Sequence, residues 1–113
     1  DIDPAAAEVS AKNAALNSVE DRCSFACADL LDENESLKLP GGYDIIIANI
    51  VADVIIALLP KAKSLLAANG IFICSGIIDI RLSDVKESLA QNGYKILSAA
   101  QKDGWCALTA EVE

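Results

Sequence analysis

The sequence predicts an α/β domain in which a largely parallel sheet is covered by helices. Hydrophobic residues make up 53% of the chain and aromatic residues only 4%, so the core is mainly aliphatic, as it is where helices pack on parallel strands. In addition, residues 45–48 form an apolar run without polar alternation. Such a run is typical of a strand that is buried on both faces in the middle of a parallel sheet.

The chain before this run predicts a helix, a short strand and a loop. Asp3 is placed to cap a helix that begins at Pro4, where proline costs no hydrogen bond, and that ends near Asn17. Residues 22–28 form an apolar run that predicts a strand. Residues 33–42 contain a Pro-Gly-Gly step and have the composition of a loop.

The chain after the run predicts alternating helices and strands and then a hairpin. Residues 54–66 have an apolar stripe at helical spacing, but Pro60 predicts two short helices or one kinked helix, ended by the Asn-Gly step at 69–70. Residues 71–76 predict a second buried strand, and residues 82–89 a third helix. An Asp-Gly turn between apolar runs then predicts a terminal β-hairpin, with strands at 94–100 and 105–112.

The charge of the chain restricts its partners. The net charge is −8, from nine Lys and Arg against seventeen Asp and Glu, which argues against binding a nucleic-acid backbone. The acidic surface favours solubility, and it also suits a basic protein partner. No apolar run reaches the roughly 18 residues of a membrane span, and the acidic start is unlike a signal peptide, so we expect a cytoplasmic protein that does not enter a membrane.

The cysteines predict reduced thiols rather than a disulfide framework or a metal site. The four cysteines are Cys23, Cys27, Cys74 and Cys106. The chain contains no histidine. Zinc sites usually need closer cysteine pairs or histidine partners. We therefore expect four free thiols, most of them buried, and no bound metal.

Three polar side chains stand where predicted strands end. Asn49 directly follows the apolar run, where it suits either a turn or a ligand site at the carboxyl end of a strand. Asp1 precedes a helix at what looks like the end of a strand and is placed to accept the hydroxyls of a bound ribose. Asp29 follows the strand predicted at 22–28, where a carboxylate suits an exocyclic amine. For Asp3, helix capping is a sufficient explanation.

Seven short motifs together resemble the catalytic domain of the PrmA-type ribosomal protein L11 methyltransferases. They are Asp1-Ile2-Asp3-Pro4, Asn13-Ala14-Ala15-Leu16-Asn17, Tyr43-Asp44, Ala48-Asn49-Ile50-Val51-Ala52, Ser75-Gly76-Ile77, Gly93-Tyr94 and Gly104-Trp105. The resemblance spans nearly the whole chain, and the Asn-Ile-Val-Ala step is its most specific part. It implies a Rossmann-like class I methyltransferase sheet that ends in an antiparallel hairpin.

The resemblance also implies a cofactor, a partner and a set of site residues. Members use S-adenosylmethionine to methylate amino groups of ribosomal protein L11. By this resemblance, Asp1 holds the ribose of the cofactor, Asp29 contacts its adenine amine, and Asn49 lies near its methionine moiety. Asn49 and the backbone carbonyl of Ile50 are then the groups expected to position the reacting amine.

The family's first strand, its glycine-rich turn and its separate substrate-recognition domain have no counterpart in residues 1–113. We therefore expect the whole sequence to be one partial catalytic domain of a methyltransferase, and we expect it to be inactive alone. Two other classes stay open at this point. A dinucleotide-binding domain of an oxidoreductase also holds a ribose with an acid at a strand end, and a non-catalytic interaction module would use only the acidic surface.

The absent glycine-rich turn leads to a direct prediction. The 113-residue chain should not bind S-adenosylmethionine appreciably unless the missing segment is supplied, because that turn lies against the methionine and ribose. Isothermal titration calorimetry of the cofactor into the chain measures this. A dissociation constant in the micromolar range, which corresponds to about −8 kcal/mol, would contradict the prediction.

Overall fold

The structure is a computed structural model that describes residues 1–35 and 38–113, and the chain divides into two units, Asp1–Lys38 and Leu39–Glu113. The first unit contains helix α1 (Pro4–Leu16) and a 3₁₀ turn (Glu20–Arg22). The elements of the second unit are, in order, β1 (Tyr43–Asn49), α2 (Ala52–Leu65), β2 (Leu66–Ile78), a 3₁₀ turn (Asp79–Arg81), α3 (Leu82–Gln91), β3 (Tyr94–Lys102) and β4 (Trp105–Val112).

Helix α1 begins and ends as predicted. The Asp3 side chain accepts a hydrogen bond of 2.9 Å from the backbone N–H of Ala5, and Pro4 occupies the first helical position. Asn17 caps the carboxyl end. These local interactions explain why the helix starts immediately after Asp3.

The strand predicted at residues 22–28 is wrong, since no strand is assigned within residues 1–35. Asp1 donates its N-terminal N–H to Ala26 at 3.4 Å, and Ala28 donates its N–H to Asp1 at 2.8 Å, which is the pattern of a parallel bridge. The pairing does not extend further. Pro4 has no N–H, and the N–H of Asp3 is bonded instead to the Asp1 carboxylate.

The second unit contains a four-stranded sheet in the order β1-β2-β4-β3. The pair β1–β2 is parallel, whereas β2–β4 and β3–β4 are antiparallel, so this sheet is mixed. The predicted terminal hairpin is confirmed. Its turn residues Asp103 and Gly104 have φ values of 52° and 82°, which suit a two-residue turn with both central residues in the left-handed region.

Strand β1 forms where the apolar run predicts it, but it is not buried on both faces. It lies at one edge of the described sheet, and Ile45 and Ile47 are 57% and 68% exposed. Ala48, on the opposite face, is buried. The absence of alternation therefore indicates a strand with two apolar faces, and helix α2 packs against this strand.

Helix α2 agrees with one of the two predicted alternatives at Pro60 and differs from the prediction in where it ends. It continues through Pro60 as one helix, because Pro60 lies on the exposed side while its neighbours Leu58 and Leu59 are buried. It also ends at Leu65, before the Asn-Gly step at 69–70. That step falls where the pairing of β2 with β1 changes register, and Asn69 has a φ of 65°.

All four cysteines are free, as predicted, but only Cys74 and Cys106 are buried, whereas Cys23 and Cys27 are exposed. Burial raises the pKa of the Cys74 thiol to about 11, so this thiol stays protonated at neutral pH. Within the described residues, no cluster of His, Cys, Asp and Glu is arranged to hold a metal ion. None of the helices in the same part of the chain is long and apolar enough to cross a membrane.

Tyr94 joins the sheet to helix α2 in the core between them. It is 3% exposed, its ring centroid lies 5.7 Å from that of Phe72, and its hydroxyl donates a 2.8 Å hydrogen bond to the Leu59 carbonyl. Burial raises the pKa of Tyr94 to about 12, and the nearby Cys74 thiol adds to this shift. The folded chain therefore favours the neutral, protonated form of the Tyr94 hydroxyl.

Replacing Tyr94 by Phe should lower the free energy of unfolding by about 1 kcal/mol, because it removes a buried hydrogen bond and keeps the ring. The pKa of Tyr94 is higher in the folded chain than in the unfolded chain, so stability should fall as pH rises from about 10 towards 12. Tyr94→Phe should reduce that fall. Urea denaturation at several pH values measures both effects. Tyr43→Phe is the control, and equal losses in the two variants would contradict the role of the Tyr94 hydroxyl.

Candidate functional site

The candidate site of the second unit lies at the carboxyl ends of its two parallel strands. Asn49, the last residue of β1, pairs with Ser75 of β2, and the N–H of Ile50 donates to the Ser75 carbonyl at 3.3 Å. Only Ile50 and Val51 separate β1 from α2, and the Val51 carbonyl accepts the first hydrogen bonds of that helix. Asn49 and Ile50 are thus held between a strand end and a helix start.

Two oxygen atoms of this turn converge on Gly76, which has a φ of 78°. The side-chain Oδ1 of Asn49 and the backbone O of Ile50 lie 2.7 and 3.1 Å from the position that a Cβ atom would take on Gly76. The turn therefore presents two hydrogen-bond acceptors close together at the strand ends. The sequence predicted Asn49 and the small residues at the end of the second strand as site residues. It did not predict that the Asn49 and Ile50 oxygens lie against Gly76.

An open pocket with a volume of about 490 Å³ lies beside Asn49 and Gly76. Its walls come from the ends of β1 and β2 and from both strands of the hairpin: Asn49, Ser75, Gly76, Ala100, Gln101, Lys102, Trp105, Cys106 and Ala107. Sequence reasoning missed the hairpin residues Gln101, Lys102 and Trp105. Because β4 runs antiparallel to β2 and pairs Trp105 with Ile78, the hairpin turn comes to the same end of the sheet as Asn49.

The polar groups that line this pocket are mostly neutral. Lys102 supplies a cation, whereas none of the lining residues has a carboxylate. Charged groups instead fix the nearby start of α2. Arg81 donates to Asp53 at 2.6 Å and to Asp84 at 2.8 Å, which links the first turns of α2 and α3. The hydrogen bond from Arg81, with its positive charge, holds the pKa of the Asp53 carboxyl below its ordinary value.

The first unit brings the other two predicted site residues onto adjacent extended segments. Asp1 bridges to the backbone around Cys27, and Asp29 lies two residues further along the same segment. Both carboxylates are exposed and have a local partner: Asp1 Oδ1 accepts from the N–H of Asp3 at 2.8 Å, and Asp29 Oδ1 accepts from the N–H of Leu31 at 2.9 Å. Asp1 and Asp29 thus belong to one unit, and Asn49 and Ile50 to the other.

Comparison with known proteins gives the family. The model of the family described as "Ribosomal protein L11 methyltransferase (PrmA)" matches residues 1–113. The chain belongs to this family. Proteins named ribosomal protein L11 methyltransferase from Desulfitobacterium hafniense and Carboxydothermus hydrogenoformans are 39% and 41% identical to it over 110 and 114 residues. Those alignments cover 97% and 100% of this chain but 34% and 35% of the relatives, so this PrmA-family chain spans about a third of their length.

Solved structures agree with the family in fold. The ribosomal protein L11 methylase from Lactobacillus delbrueckii subsp. bulgaricus superposes with a TM-score of 0.88 at 29% identity, over 100% of this chain and 55% of that protein. An S-adenosylmethionine-dependent methyltransferase from Clostridium acetobutylicum has a TM-score of 0.78 at 10% identity, over 99% and 73% of the two chains, which bears on the fold alone. The predicted class I methyltransferase fold is confirmed. Membership of the methyltransferase family argues against the alternative of a dinucleotide-binding domain of an oxidoreductase.

Proposed function

We propose that this PrmA-family chain is part of the catalytic domain of an S-adenosylmethionine-dependent protein methyltransferase that acts on amino groups of ribosomal protein L11. Asn49 and Ile50 position the reacting amine, while Asp1 and Asp29 bind the cofactor. We further propose a cytoplasmic location, where ribosomal proteins are made. The acidic chain, with its net charge of −8, suits a basic partner protein better than nucleic acid.

The observation that carries this proposal is the convergence of Asn49 Oδ1 and Ile50 O beside an open pocket. Both oxygens lie against Gly76, 2.7 and 3.1 Å from the position that a Cβ atom would take there, so the two acceptors are near each other at the strand ends. A primary amine has two N–H donors and one lone pair. If its N–H groups donate to these two acceptors, the lone pair is held in one direction, and such alignment is a large part of the catalysis that a displacement reaction needs.

The neutral character of the acceptors suits a nucleophile that must be uncharged. A lysine side chain has an ordinary pKa of about 10.4, so its ammonium form dominates at neutral pH. A carboxylate at position 49 would stabilise that unreactive form, whereas the carboxamide of Asn49 accepts hydrogen bonds without attracting the extra proton. The Lys102 cation in the pocket wall also favours the neutral form of the substrate amine, because it disfavours a second positive charge nearby.

The donor and acceptor chemistry of the first unit fits the cofactor. When bound, S-adenosylmethionine would supply an electrophilic methyl group to the amine. The ribose hydroxyls and the adenine amine are hydrogen-bond donors, and the exposed carboxylates of Asp1 and Asp29 are acceptors on neighbouring segments. The contact from the Asp3 N–H orients the Asp1 carboxylate for this role.

Activity is best measured in a chimera in which this chain replaces the 110-residue segment that it matches in the Desulfitobacterium hafniense relative. Asn49→Ala should lower kcat for methyl transfer to L11 by about 10²-fold, because the amine loses one of its two acceptors. Gln91→Ala, which removes an exposed carboxamide from α3, is the control. Methylation by the chimera that does not depend on Asn49 would refute the role of this residue, and a chimera without methyl transfer would count against the function.

Asp1→Asn in the same chimera should raise the dissociation constant of S-adenosylmethionine by about tenfold to a hundredfold, since a hydrogen bond to a charged acceptor is worth about 1.5–3 kcal/mol. The value of kcat should stay nearly unchanged. Asp32→Asn is a matched control, because the Asp32 carboxylate accepts from the N–H two residues ahead, at 2.9 Å, just as Asp1 does. Equal cofactor affinity in the two variants, measured by calorimetry, would exclude Asp1 from the cofactor site.

A further inference from the structure

Gly76 interrupts the regular pairing at the end of β2. Cys74 pairs with Leu108 and Ile77 pairs with Cys106, so β2 has an extra residue between these two pairs, as in a β-bulge. The φ of 78° puts Gly76 in the left-handed region, which glycine adopts without strain. This geometry turns the backbone of β2 towards the Asn49–Ile50 turn.

The space beside Gly76 that another residue would fill is already occupied by groups of the candidate site. A Cβ atom at this position would lie 2.7 Å from Asn49 Oδ1, 3.1 Å from Ile50 O and 3.3 Å from Ile50 N. All three distances are shorter than an ordinary van der Waals contact of about 3.5–4.0 Å. The shortest one is to the end of a flexible side chain, so the Asn49 carboxamide is the group that would move.

We propose that Gly76 is a positioning residue for methyl transfer, which holds the amine-binding geometry by having no side chain. Its bare Cα lets the Asn49 carboxamide and the Ile50 carbonyl lie side by side against it. Any side chain at position 76 displaces the carboxamide and leaves the amine with one well-placed acceptor. This inference rests on the proposed function, because it assumes that Asn49 and Ile50 bind the amine.

Gly93 is a suitable control position, because it shares the left-handed backbone of Gly76 but lies away from the candidate site. Gly93 has nearly the same φ, 76°, and a Cβ there would lie 2.6 Å from the flexible end of Lys63, so it meets the same kind of obstacle. Gly93 precedes the first residue of β3, while the pocket residues Gln101 and Lys102 lie at the other end of that strand. Alanine at 76 and at 93 thus imposes similar backbone strain, but only position 76 touches the site.

The experiment compares Gly76→Ala with Gly93→Ala in the chimera. Both should lower Tm by a similar amount, about 2–4 °C, as expected for a loss near 1 kcal/mol in a protein larger than a single small domain. Gly76→Ala should lower kcat by about 10²-fold while the KM for S-adenosylmethionine changes by less than about threefold. Gly93→Ala should leave both constants within about threefold of the unsubstituted chimera. Equal kcat values in the two variants would overturn the proposal.

A double-mutant cycle separates this proposal from the function on which it rests. In an Asn49→Ala background, Gly76→Ala should lower kcat by less than about tenfold, since the carboxamide that it displaces is already gone. If Asn49→Ala lowers kcat but Gly76→Ala does not, the positioning role fails and the proposed function stands. If Asn49→Ala has no effect on methyl transfer, the assignment of the amine site itself fails.

A structural measurement on the 113-residue chain does not depend on activity. Gly76→Ala should shift the side-chain NH₂ signals of Asn49 in a ¹H–¹⁵N NMR spectrum, and Gly93→Ala should leave them in place. If Gly76→Ala does not fold, Gly76→Asn carries the same Cβ and adopts a left-handed φ more readily. Unshifted Asn49 signals in a folded variant with a Cβ at position 76 would overturn the proposal.

Discussion

The parallel pairing of β1 with β2 is the constraint on which the rest of the site depends. It sets Asn49 beside Ser75 and brings both strands to an end at the same edge of the sheet. The buried residues Ala48, Phe72 and Cys74 secure this register, because they face the helices while Asn49 and Ser75 face the pocket. A slip of one residue would turn Asn49 into the core, so packing on one face determines the chemistry on the other.

The site gains precision from rigid elements and from very short connections. Two residues join β1 to α2, and one hydrogen bond ties Ile50 to Ser75. Arg81 then holds the first turn of α2 through Asp53, in an exposed ion pair whose value lies in geometry more than in stability. Groups held by strand ends and helix starts keep their positions better than groups on long loops, which suits a reaction that depends mainly on alignment.

In the proposed function, the first unit binds the cofactor and the second unit positions the substrate amine. The first unit offers exposed carboxylates on neighbouring extended segments, and the second offers neutral acceptors beside an open pocket. This division follows the charges of the molecules concerned. Ribose hydroxyls and an adenine amine remain neutral donors, so carboxylates bind them well, whereas a carboxylate beside a substrate amine would favour its unreactive protonated form.

The features that depend on local chemistry can be predicted from the amino-acid sequence. These include the Asp3 cap with Pro4, the Asp-Gly turn of the hairpin and the residue types of the Asn49 motif. Other features depend on contacts between residues far apart in the chain, and these appear only in the folded structure. Within the described residues, the run at 22–28 forms backbone hydrogen bonds with Asp1 but no strand. Strand β1 lies at an edge of the described sheet, so two of its three isoleucines are exposed. Pro60 stays within a helix that has the buried residues Leu59 and Ala62 on either side of it. The convergence on Gly76 belongs to the same class, because it arises where two strand ends meet, and no local pattern reports the distance between residues 27 positions apart.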